Sequence, residues 1–221
     1  MQQRILIAGA GSPDVVRLID DINSAGRDRI EVVGFLDDDP SKAGGEFMGY
    51  RILGPAATML SRYSDCGVIN NVARTMPLRW KVFQALRRLG VTEFPTLVHP
   101  GVGTRRVEIG PGCLVNEDSN LAPGVRVGAY SVLGVRASVS HETVIGECAF
   151  LATGSVLGAR CVFGAGSFLG LNATVIPELR IGESVMVGAG AVVTRDVPDL
   201  KKAYGNPARI QGDYPPYRGE A

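Results

Sequence analysis

The most regular feature of the sequence is an apolar residue at every sixth position of its second half. The series begins at Ile109 and ends at Val193, and all fifteen of its positions are apolar. Glycine directly follows nine of them, and a mostly small residue, such as Cys113, Ser131 or Cys161, comes four places after each. The phase never slips, so no large loop interrupts this stretch.

A period of six fits neither an α-helix nor a simple two-residue alternation. It predicts a short strand and a corner, repeated, with one large and one small side chain inside and Gly where a Cβ would be obstructed. Cys113 and Cys161 fall on the small inward position and are therefore predicted to be core residues. Hexapeptide repeats of this kind form a parallel β-helix. A sandwich of short strands is the alternative, but its strands would not keep one phase over so long a stretch.

Residues 1–98 follow another pattern, in which buried-strand runs alternate with amphipathic helices. The predicted elements are the strands Arg4–Ala8, Glu31–Leu36, Cys66–Asn71 and Phe94–Val98 and the helices Pro13–Ser24 and Leu78–Leu89. This alternation predicts an α/β unit of the β-α-β type. An acidic corner, 37–40, follows the second strand.

A Gly-rich loop, Gly9-Ala10-Gly11-Ser12, follows the first strand and leads into a helix with Pro13 in its first turn. The N-terminus of such a helix can receive a phosphate, which favours nucleotide binding. The dinucleotide fingerprint needs a third glycine where this chain has Asp14. The loop by itself is therefore also compatible with a plain tight turn.

Composition and charge limit the classes of partner. The chain has 221 residues, 45% of them hydrophobic and 20% charged, so a folded core is expected and general disorder is not. The net charge of +1 disfavours a broad basic surface, so no nucleic-acid partner is expected. The longest apolar runs are too short for a membrane span or a signal peptide, and four cysteines are scattered without a CxxC pair. We expect a cytoplasmic protein with reduced thiols and no membrane partner.

The end of the repeat makes the pattern more specific, because it is followed by Gly205-Asn206-Pro207-Ala208-Arg209. With the front loop and the acidic corner, this layout resembles the hexapeptide-repeat sugar O- and N-acyltransferases (NeuD/PglD-like), over about residues 4–210. The resemblance implies an α/β N-terminal Rossmann-like domain at 1–98 and an all-β left-handed parallel β-helix at 99–211, with three hexads per coil. A C-terminal tail, 212–221, follows. The left hand comes only from the resemblance, since parallel crossovers are ordinarily right-handed.

The resemblance also implies that the front domain binds the nucleotide of a nucleotide-linked amino sugar. The matching positions are Gly9, Gly11 and Ser12 near the phosphates, Asp37 and Asp38 at the base or ribose, and Asn70 and Asn71 along the cleft. Many members continue the first loop with Gly-His, where this chain has Ser12-Pro13, and end the third strand in an IGN-like turn, here 69–71. These departures leave the identity of the sugar open.

The catalytic expectation rests on one of two histidines. His99 stands at the entry to the solenoid and is predicted to be a structural linker residue. His141 begins the segment 141–147, which matches the family pattern HE-x-V-I-G-E, so the resemblance implies that His141 is the general base and Glu142 its partner. An amine or hydroxyl that attacks a thioester loses a proton, and an imidazole with an ordinary pKa of about 6.5 can accept it. The position of His141 in its hexad predicts that it projects outward at a corner.

The donor implied by the resemblance is acetyl-CoA, without a metal, bound along the solenoid between the subunits of a homotrimer. The positions expected to contact it are Phe150, Gly158, Ala159, Gly164, Gly170, Leu171, Gly188, Ala189 and Arg209. Phe150 stands nine residues after His141, where the best-studied branch has a second His that touches the acyl-CoA. Either packing replaces that contact or the donor pocket differs. The glycines are explained equally well as corner residues.

The predicted activity is acyl transfer to the amino group of a nucleotide-linked amino sugar, in surface polysaccharide biosynthesis. O-acetylation of a sialic-acid-like sugar and a non-catalytic binding solenoid are the alternatives. A zinc enzyme of the γ-carbonic-anhydrase type needs three His at one metal, and the chain has two His in all.

Overall fold

The front half of the chain is a five-stranded sheet with helices between its strands. The computed structural model describes residues 2–26, 29–72 and 75–218. The elements of the front half are β1 (Gln2–Ala8), α1 (Asp14–Ser24), β2 (Arg29–Leu36), β3 (Glu46–Phe47), β4 (Tyr50–Gly54), α2 (Ala56–Met59), β5 (Gly67–Asn70) and α3 (Met76–Arg88), with short 3₁₀ turns at Pro40–Lys42 and Leu60–Arg62.

The strand order of this front sheet is β3-β4-β2-β1-β5, in which β4, β2, β1 and β5 are parallel. Ile5, Leu6 and Ile7 of β1 are fully buried, as expected for the centre of a parallel sheet covered on both faces. The carboxyl ends of β1, β2 and β5 meet at one edge. That edge brings together the Gly-rich loop, the acidic corner and the residues after β5.

The predicted strands and helices of this half are confirmed within about two residues at each end, apart from Phe94–Val98. The hairpin of β3 and β4 was not predicted. It packs through the rings of Phe47 and Tyr50, whose centroids lie 5.2 and 6.5 Å from the ring of Phe35. Phe35 is fully buried, so the hairpin covers one side of β2.

The second half is a parallel β-helix of two-residue strands, as the repeat predicts. Its strands are β7 (Glu108–Ile109), β8 (Leu114–Val115), β9 (Asn120–Leu121), β10 (Arg126–Val127), β11 (Val132–Leu133), β12 (Ser138–Val139), β13 (Val144–Ile145), β14 (Phe150–Leu151), β15 (Val156–Leu157), β16 (Val162–Phe163), β17 (Phe168–Leu169), β18 (Thr174–Val175), β19 (Arg180–Ile181), β20 (Met186–Val187) and β21 (Val192–Val193). They form three sheets, and strands three apart in sequence are neighbours.

We call these sheets I, II and III. Sheet I contains β7, β10, β13, β16 and β19, and sheet III contains β9, β12, β15, β18 and β21. Sheet II contains β8, β11, β14, β17 and β20 and is extended by β6 (Leu97–Val98) at one end and by β22 (Lys201–Tyr204) and β23 (Arg209–Asp213) at the other. The turns between them are the corners I–II, II–III and III–I.

The prediction of three hexads per coil is confirmed by the register. Val127 pairs with Ile145, eighteen residues later, and the same offset recurs through the sheets. Fourteen of the fifteen repeat positions are buried, and only Ile109, in the first coil, is half-buried. Cys113 and Cys161 are buried in the same core, as predicted.

The strand predicted at Phe94–Val98 belongs elsewhere than expected. Leu97 and Val98 form β6, which pairs in parallel with Leu114 and Val115 of sheet II and not with the front sheet. The prediction was wrong because β6 has the same two-residue apolar pattern as the coils that follow it. The strand β6, at the end of the predicted front domain 1–98, is thus the first strand of sheet II.

One residue in each coil corner has a positive φ, and these residues recur every six positions from Arg106 to Gly190. Only five of the fifteen are glycine, and Glu142, with φ 59°, is one of the others. A non-glycine residue in this conformation costs on the order of 1–2 kcal/mol. The corners therefore need the stacking of neighbouring coils to hold them.

The tail packs back onto both halves of the molecule. It is described as far as Arg218, and its last three residues lie outside the described ranges. Tyr217 is 4% exposed, its hydroxyl donates to Glu147 Oε1 at 2.7 Å, and its ring lies 5.4 Å from that of Trp80 on α3. Gly166 makes room for it, since a Cβ there would lie 2.1 Å from Tyr217 Cγ. The tail thus joins corner I–II to α3.

Candidate active site

The carboxyl edge of the front sheet holds a pocket of about 460 Å³. Its lining includes the predicted residues Gly9, Gly11, Ser12, Asp37 and Asn71, so the structure brings most of the predicted nucleotide-binding positions together. Lys42 also lines this pocket, and the sequence analysis did not single it out.

Asp37 connects the acidic corner to the Gly-rich loop. Its carboxylate accepts hydrogen bonds from the amide of Ala10 at 3.0 Å, from the amide of Asp39 at 3.0 Å and from Lys42 Nζ at 2.9 Å. Burial alone would raise the pKa of the Asp37 carboxyl, but the hydrogen bonds from Lys42, Asp39 and Ala10 outweigh it and hold the pKa below its usual value. Asp37 is therefore an ionised wall residue of the pocket.

The three other polar positions predicted here differ in role. Asn71 Nδ2 donates to the carbonyls of Gly9 and Ser12, each at 3.0 Å, and so clamps the loop. Asn70 is buried, and its side chain bonds backbone atoms of Val72 and of α3. Asp38 is exposed and accepts from the amide of Ala56, the first residue of α2, at 3.3 Å. Among these three, only Asn71 lines the pocket.

A second cleft of about 290 Å³ lies between the front half and sheet II. Ser12 and Asn71 line both cavities, so the two cavities adjoin at these residues. Phe150 and Leu171, two of the predicted donor residues, lie in this second cleft. Phe150 stacks on Phe168 with a centroid distance of 5.4 Å, which makes one wall apolar.

Arg79 borders the second cleft and was missed by the sequence analysis. It is 1% exposed and faces the core side of α3 together with Met76, Phe83 and Leu86. The available signal was its spacing, since Arg79 occupies a position of the helix where an apolar residue is expected.

His141 and Glu142 lie on corner III–I, between β12 and β13. His141 projects outward, as predicted, and half of its side chain is exposed. Its Nδ1 lies 3.2 Å from Glu142 Oε2. If Nδ1 carries the ring proton and donates it to this carboxylate, Nε2 faces away from Glu142 as a proton acceptor. Neither His141 nor Glu142 lines the two cavities described above.

The residues predicted to contact acetyl-CoA are distributed over all three corners of the solenoid. Gly158 and Ala159 share corner III–I with His141, and the carbonyl of His141 accepts from Arg160 one coil later. Gly170, Leu171, Gly188 and Ala189 lie on corner II–III, and Gly164 lies on corner I–II. A single chain therefore does not gather these positions in one groove.

The glycines at these corners have a packing role in their own right. A Cβ on Gly158 would lie 2.4 Å from Pro177 N, and one on Gly164 would lie 2.2 Å from Gly182 O. Both contacts are with the backbone of the next coil, which is too close for any larger residue. Stacking by itself accounts for glycine here, whether or not a ligand passes.

Arg209 lies at the start of β23, just after the turn 205–208 that follows β22, and it is exposed. Its Nη1 donates to the carbonyl of Ala208 at 3.0 Å. The side chain is thus on the surface at the C-terminal end of sheet II.

His99 belongs to a charge network between α1 and the solenoid. Its Nε2 lies 3.5 Å from Asp21 Oδ2, and its Nδ1 accepts from the amide of Gly101 at 3.1 Å. Asp21, His99 and Glu117 place their ligand atoms within 4.8 Å of one another. Glu117 is already paired with Arg17 at 2.5 Å, so this cluster is explained as a link between the two halves.

Comparisons with known proteins agree with this architecture. No family model matches the chain. A solved structure of a variant of perosamine N-acetyltransferase from Caulobacter crescentus, in complex with CoA and GDP-perosamine, superposes with a TM-score of 0.81 and 28% identity, over 95% of this chain and 97% of that one. The chain is thus similar to perosamine N-acetyltransferase across both of its halves.

Two further proteins that are similar to this chain bear on its fold and sequence. The acetyltransferase domain of PglB from Neisseria gonorrhoeae has a TM-score of 0.83 over 95% of this chain and all of that one, at 23% identity, and so supports the fold. A 41-residue stretch is 61% identical to dTDP-3-amino-3,6-dideoxy-α-D-galactopyranose 3-N-acetyltransferase from Aneurinibacillus thermoaerophilus. That stretch is 19% of this chain and 21% of that enzyme. In the described part of the chain, every helix is too short or too polar to span a membrane.

Proposed function

We propose that this protein transfers an acetyl group from acetyl-CoA to the amino group of a nucleotide-linked amino sugar. The observation that carries the proposal is the similarity to perosamine N-acetyltransferase across both halves of the chain, front sheet and solenoid together. An acyltransferase solenoid alone would not need the pocket at the carboxyl edge of the front sheet. A nucleotide-linked acceptor uses both parts.

The front half, as a Rossmann-like domain at about residues 1–96, holds the nucleotide. The pocket formed by Gly9, Gly11, Ser12 and Asp37 receives it at the carboxyl edge of the sheet, where parallel α/β sheets bind ligands. The sugar extends past Ser12 and Asn71 into the second cleft, because the two cavities meet there.

His141 is the general base in this proposal. Its Nε2 accepts the proton that the acceptor amine loses as the amine nitrogen bonds to the acyl carbon of the donor thioester. The carbon–sulfur bond breaks, and the departing CoA sulfur takes up the proton from the His141 imidazolium, so that CoA leaves as the thiol and the neutral imidazole is restored. Glu142 orients the ring through Nδ1 and stabilises its charged form.

A homotrimer with left-handed β-helices completes the site. His141, Gly158 and Ala159 lie on corner III–I, whereas the second cleft lies beside corner II–III. When corner III–I of one copy packs against corner II–III of the next, His141 reaches the cleft of its neighbour. Cyclic assembly of this kind repeats the same pair of surfaces at each interface.

A cytoplasmic location and a role in surface polysaccharide biosynthesis complete the proposal. All four cysteines lie within the described ranges and are unpaired, as in proteins of reducing compartments. Nucleotide-linked sugars are the activated precursors from which glycans are built.

A thiol-release assay tests the proposed function. Acetyl-CoA is incubated with the protein and with GDP-, UDP- or dTDP-linked amino sugars, and each amino sugar is matched by a counterpart with hydroxyl in place of the amine. Release of CoA thiol with an amino sugar, but not with its hydroxyl counterpart, supports the proposal. Equal release with the hydroxyl counterpart indicates O-acetylation, and no release with any sugar favours a non-catalytic solenoid.

A further inference from the structure

The guanidinium of Arg79 is buried at the junction of the two halves, with backbone carbonyls as its partners. Nη1 donates to the carbonyls of Asn70 and Val72, each at 2.9 Å. Nε and Nη2 both donate to the carbonyl of Tyr130 at 3.4 Å. Within the described ranges, no carboxylate pairs with Arg79, and the second hydrogen of Nη2 has no acceptor.

An unpaired buried charge is unfavourable unless something compensates it. Burial lowers the pKa of the Arg79 guanidinium to about 10, so the group still carries its charge at neutral pH. The three carbonyl dipoles and the face of the Phe83 ring, whose centroid lies 5.2 Å from the guanidinium carbon, offset part of the cost, but none of them brings a net negative charge. The site can therefore gain further from an anion.

Arg79 lies where an anion would arrive. It lines the second cleft together with Ser12 and Asn71, and these two residues also line the nucleotide pocket. Arg79 is the only cationic residue in the described lining of this cleft, and Asp14 is the only anionic one. Asp14 is engaged with the hydroxyl of Ser12 at 3.1 Å.

A ligand that extends from the first pocket into the second crosses the Ser12–Asn71 boundary with its linking group. In a nucleotide-linked sugar that group is a diphosphate, which carries negative charge and accepts hydrogen bonds. We propose that Arg79 binds the diphosphate of the nucleotide-linked sugar and thereby fixes how far the sugar extends into the second cleft. The inference rests on the proposed function, and it adds a specificity-determining residue that lies on α3 and outside the Gly-rich loop.

The test compares the affinities of nucleoside diphosphates with those of the matching nucleosides, measured by calorimetry on the full chain. The pairs are GDP and guanosine, UDP and uridine, and dTDP and thymidine. The wild type is expected to bind one diphosphate at least 10-fold more tightly than its nucleoside. Arg79→Gln is expected to reduce that ratio by about 10-fold or more, because a charge-assisted bond to phosphate is lost. Affinity for the nucleoside stays nearly constant.

Arg88→Gln is the matched control, since Arg88 lies on the same helix and is exposed. It should leave the ratio unchanged. An unchanged ratio in Arg79→Gln would overturn the inference about Arg79, whereas failure of all three diphosphates to bind the wild type would count against the proposed function instead.

Two further measurements keep the inference testable if Arg79→Gln does not fold. Arg79→Lys retains a cation but loses the forked donors, and it should also reduce the ratio. In the wild type, the Nε–H resonance of Arg79, assigned by its loss in Arg79→Lys, should shift on addition of the diphosphate and not on addition of the nucleoside. If the chemical shift of this resonance changes with neither ligand, the inference is overturned.

Discussion

The imidazole Nδ1 of His141 lies 3.2 Å from Oε2 of Glu142, the next residue in the chain. Adjacent side chains in a strand point to opposite faces, but Glu142 has a φ of 59°, which brings its side chain to the same side of the corner. The left-handed residue of this coil thus places a carboxylate beside the imidazole. Because this contact occupies Nδ1, Nε2 is the ring nitrogen that remains open to the amino-sugar substrate.

Loss of the Glu142 charge should slow turnover moderately. Glu142→Gln keeps an acceptor for Nδ1 but removes the negative charge that stabilises the imidazolium, so kcat should fall about 10-fold with little change in KM. The loss is smaller than the roughly 10²–10⁴-fold value of a general base, because both side chains are exposed and solvent screens the pair. The matched control is Glu178→Gln, at the equivalent corner position two coils later, where Glu178 pairs with Arg160. Equal loss in both variants would contradict a specific role for Glu142.

Substitutions of Asp37 and Asp38 should have different effects on the KM for the sugar substrate. Asp37→Ala removes the acceptor for Ala10, Asp39 and Lys42, so it should raise the KM for the sugar substrate about 10-fold and lower stability by roughly 1–3 kcal/mol. Asp38→Ala removes the acceptor for the Ala56 amide at the start of α2 and should cost about 1 kcal/mol or less, with the KM for the sugar substrate nearly unchanged. Both should leave the KM for acetyl-CoA unchanged. Equal rises in sugar KM would show that Asp38 also contacts the nucleotide.

Gly164 should be required by the fold. Gly164→Ala places a Cβ 2.2 Å from Gly182 O, so we expect a loss of about 1–3 kcal/mol and a Tm lower by several degrees. The control is Gly190→Asn, because Gly190 has a φ of 66°, its Cβ direction is open, and Asn tolerates that conformation. A normal Tm with weakened acetyl-CoA binding in Gly164→Ala would instead assign this glycine to the donor site.

The tail should make stability depend on alkaline pH. Burial, and then the charge of Glu183, raises the pKa of Tyr217 to about 12. The folded state retains the phenolic proton longer than the unfolded state, so the contribution of Tyr217 is complete below about pH 10 and is lost between about pH 10 and 12. Tyr217→Phe keeps the ring against Trp80, and its unfolding free energy should fall less steeply over that range. Parallel pH profiles of the two proteins would contradict this account.

The repeat makes most of the solenoid predictable from sequence. Each hexad contributes one apolar residue to the core, so the local sequence alone reveals which side chains point inward, from Ile109 to Val193. The strand β6 was misassigned because its partner, β8, is separated from it by seventeen residues, and local pattern does not reveal which sheet a two-residue strand joins.

The residues that the sequence analysis missed act through contacts distant in the chain. Arg79 is held by the carbonyl of Tyr130, 51 residues away, and Tyr217 by Glu147, 70 residues away. Neither pairing has a local pattern. The outward position of His141 was predictable because it depends only on the phase of its own hexad.

The most direct test of the account is the kcat of His141→Asn in the thiol-release assay, measured with saturating acetyl-CoA and the best amino-sugar acceptor. Because His141 is half exposed and Asn suits a corner, the variant should melt like the wild type. Its kcat should be lower by roughly 10²–10⁴-fold with KM little changed, while His99→Asn turns over at nearly the wild-type rate. A folded His141→Asn that keeps more than about a tenth of the wild-type kcat would contradict the role of His141 as the general base.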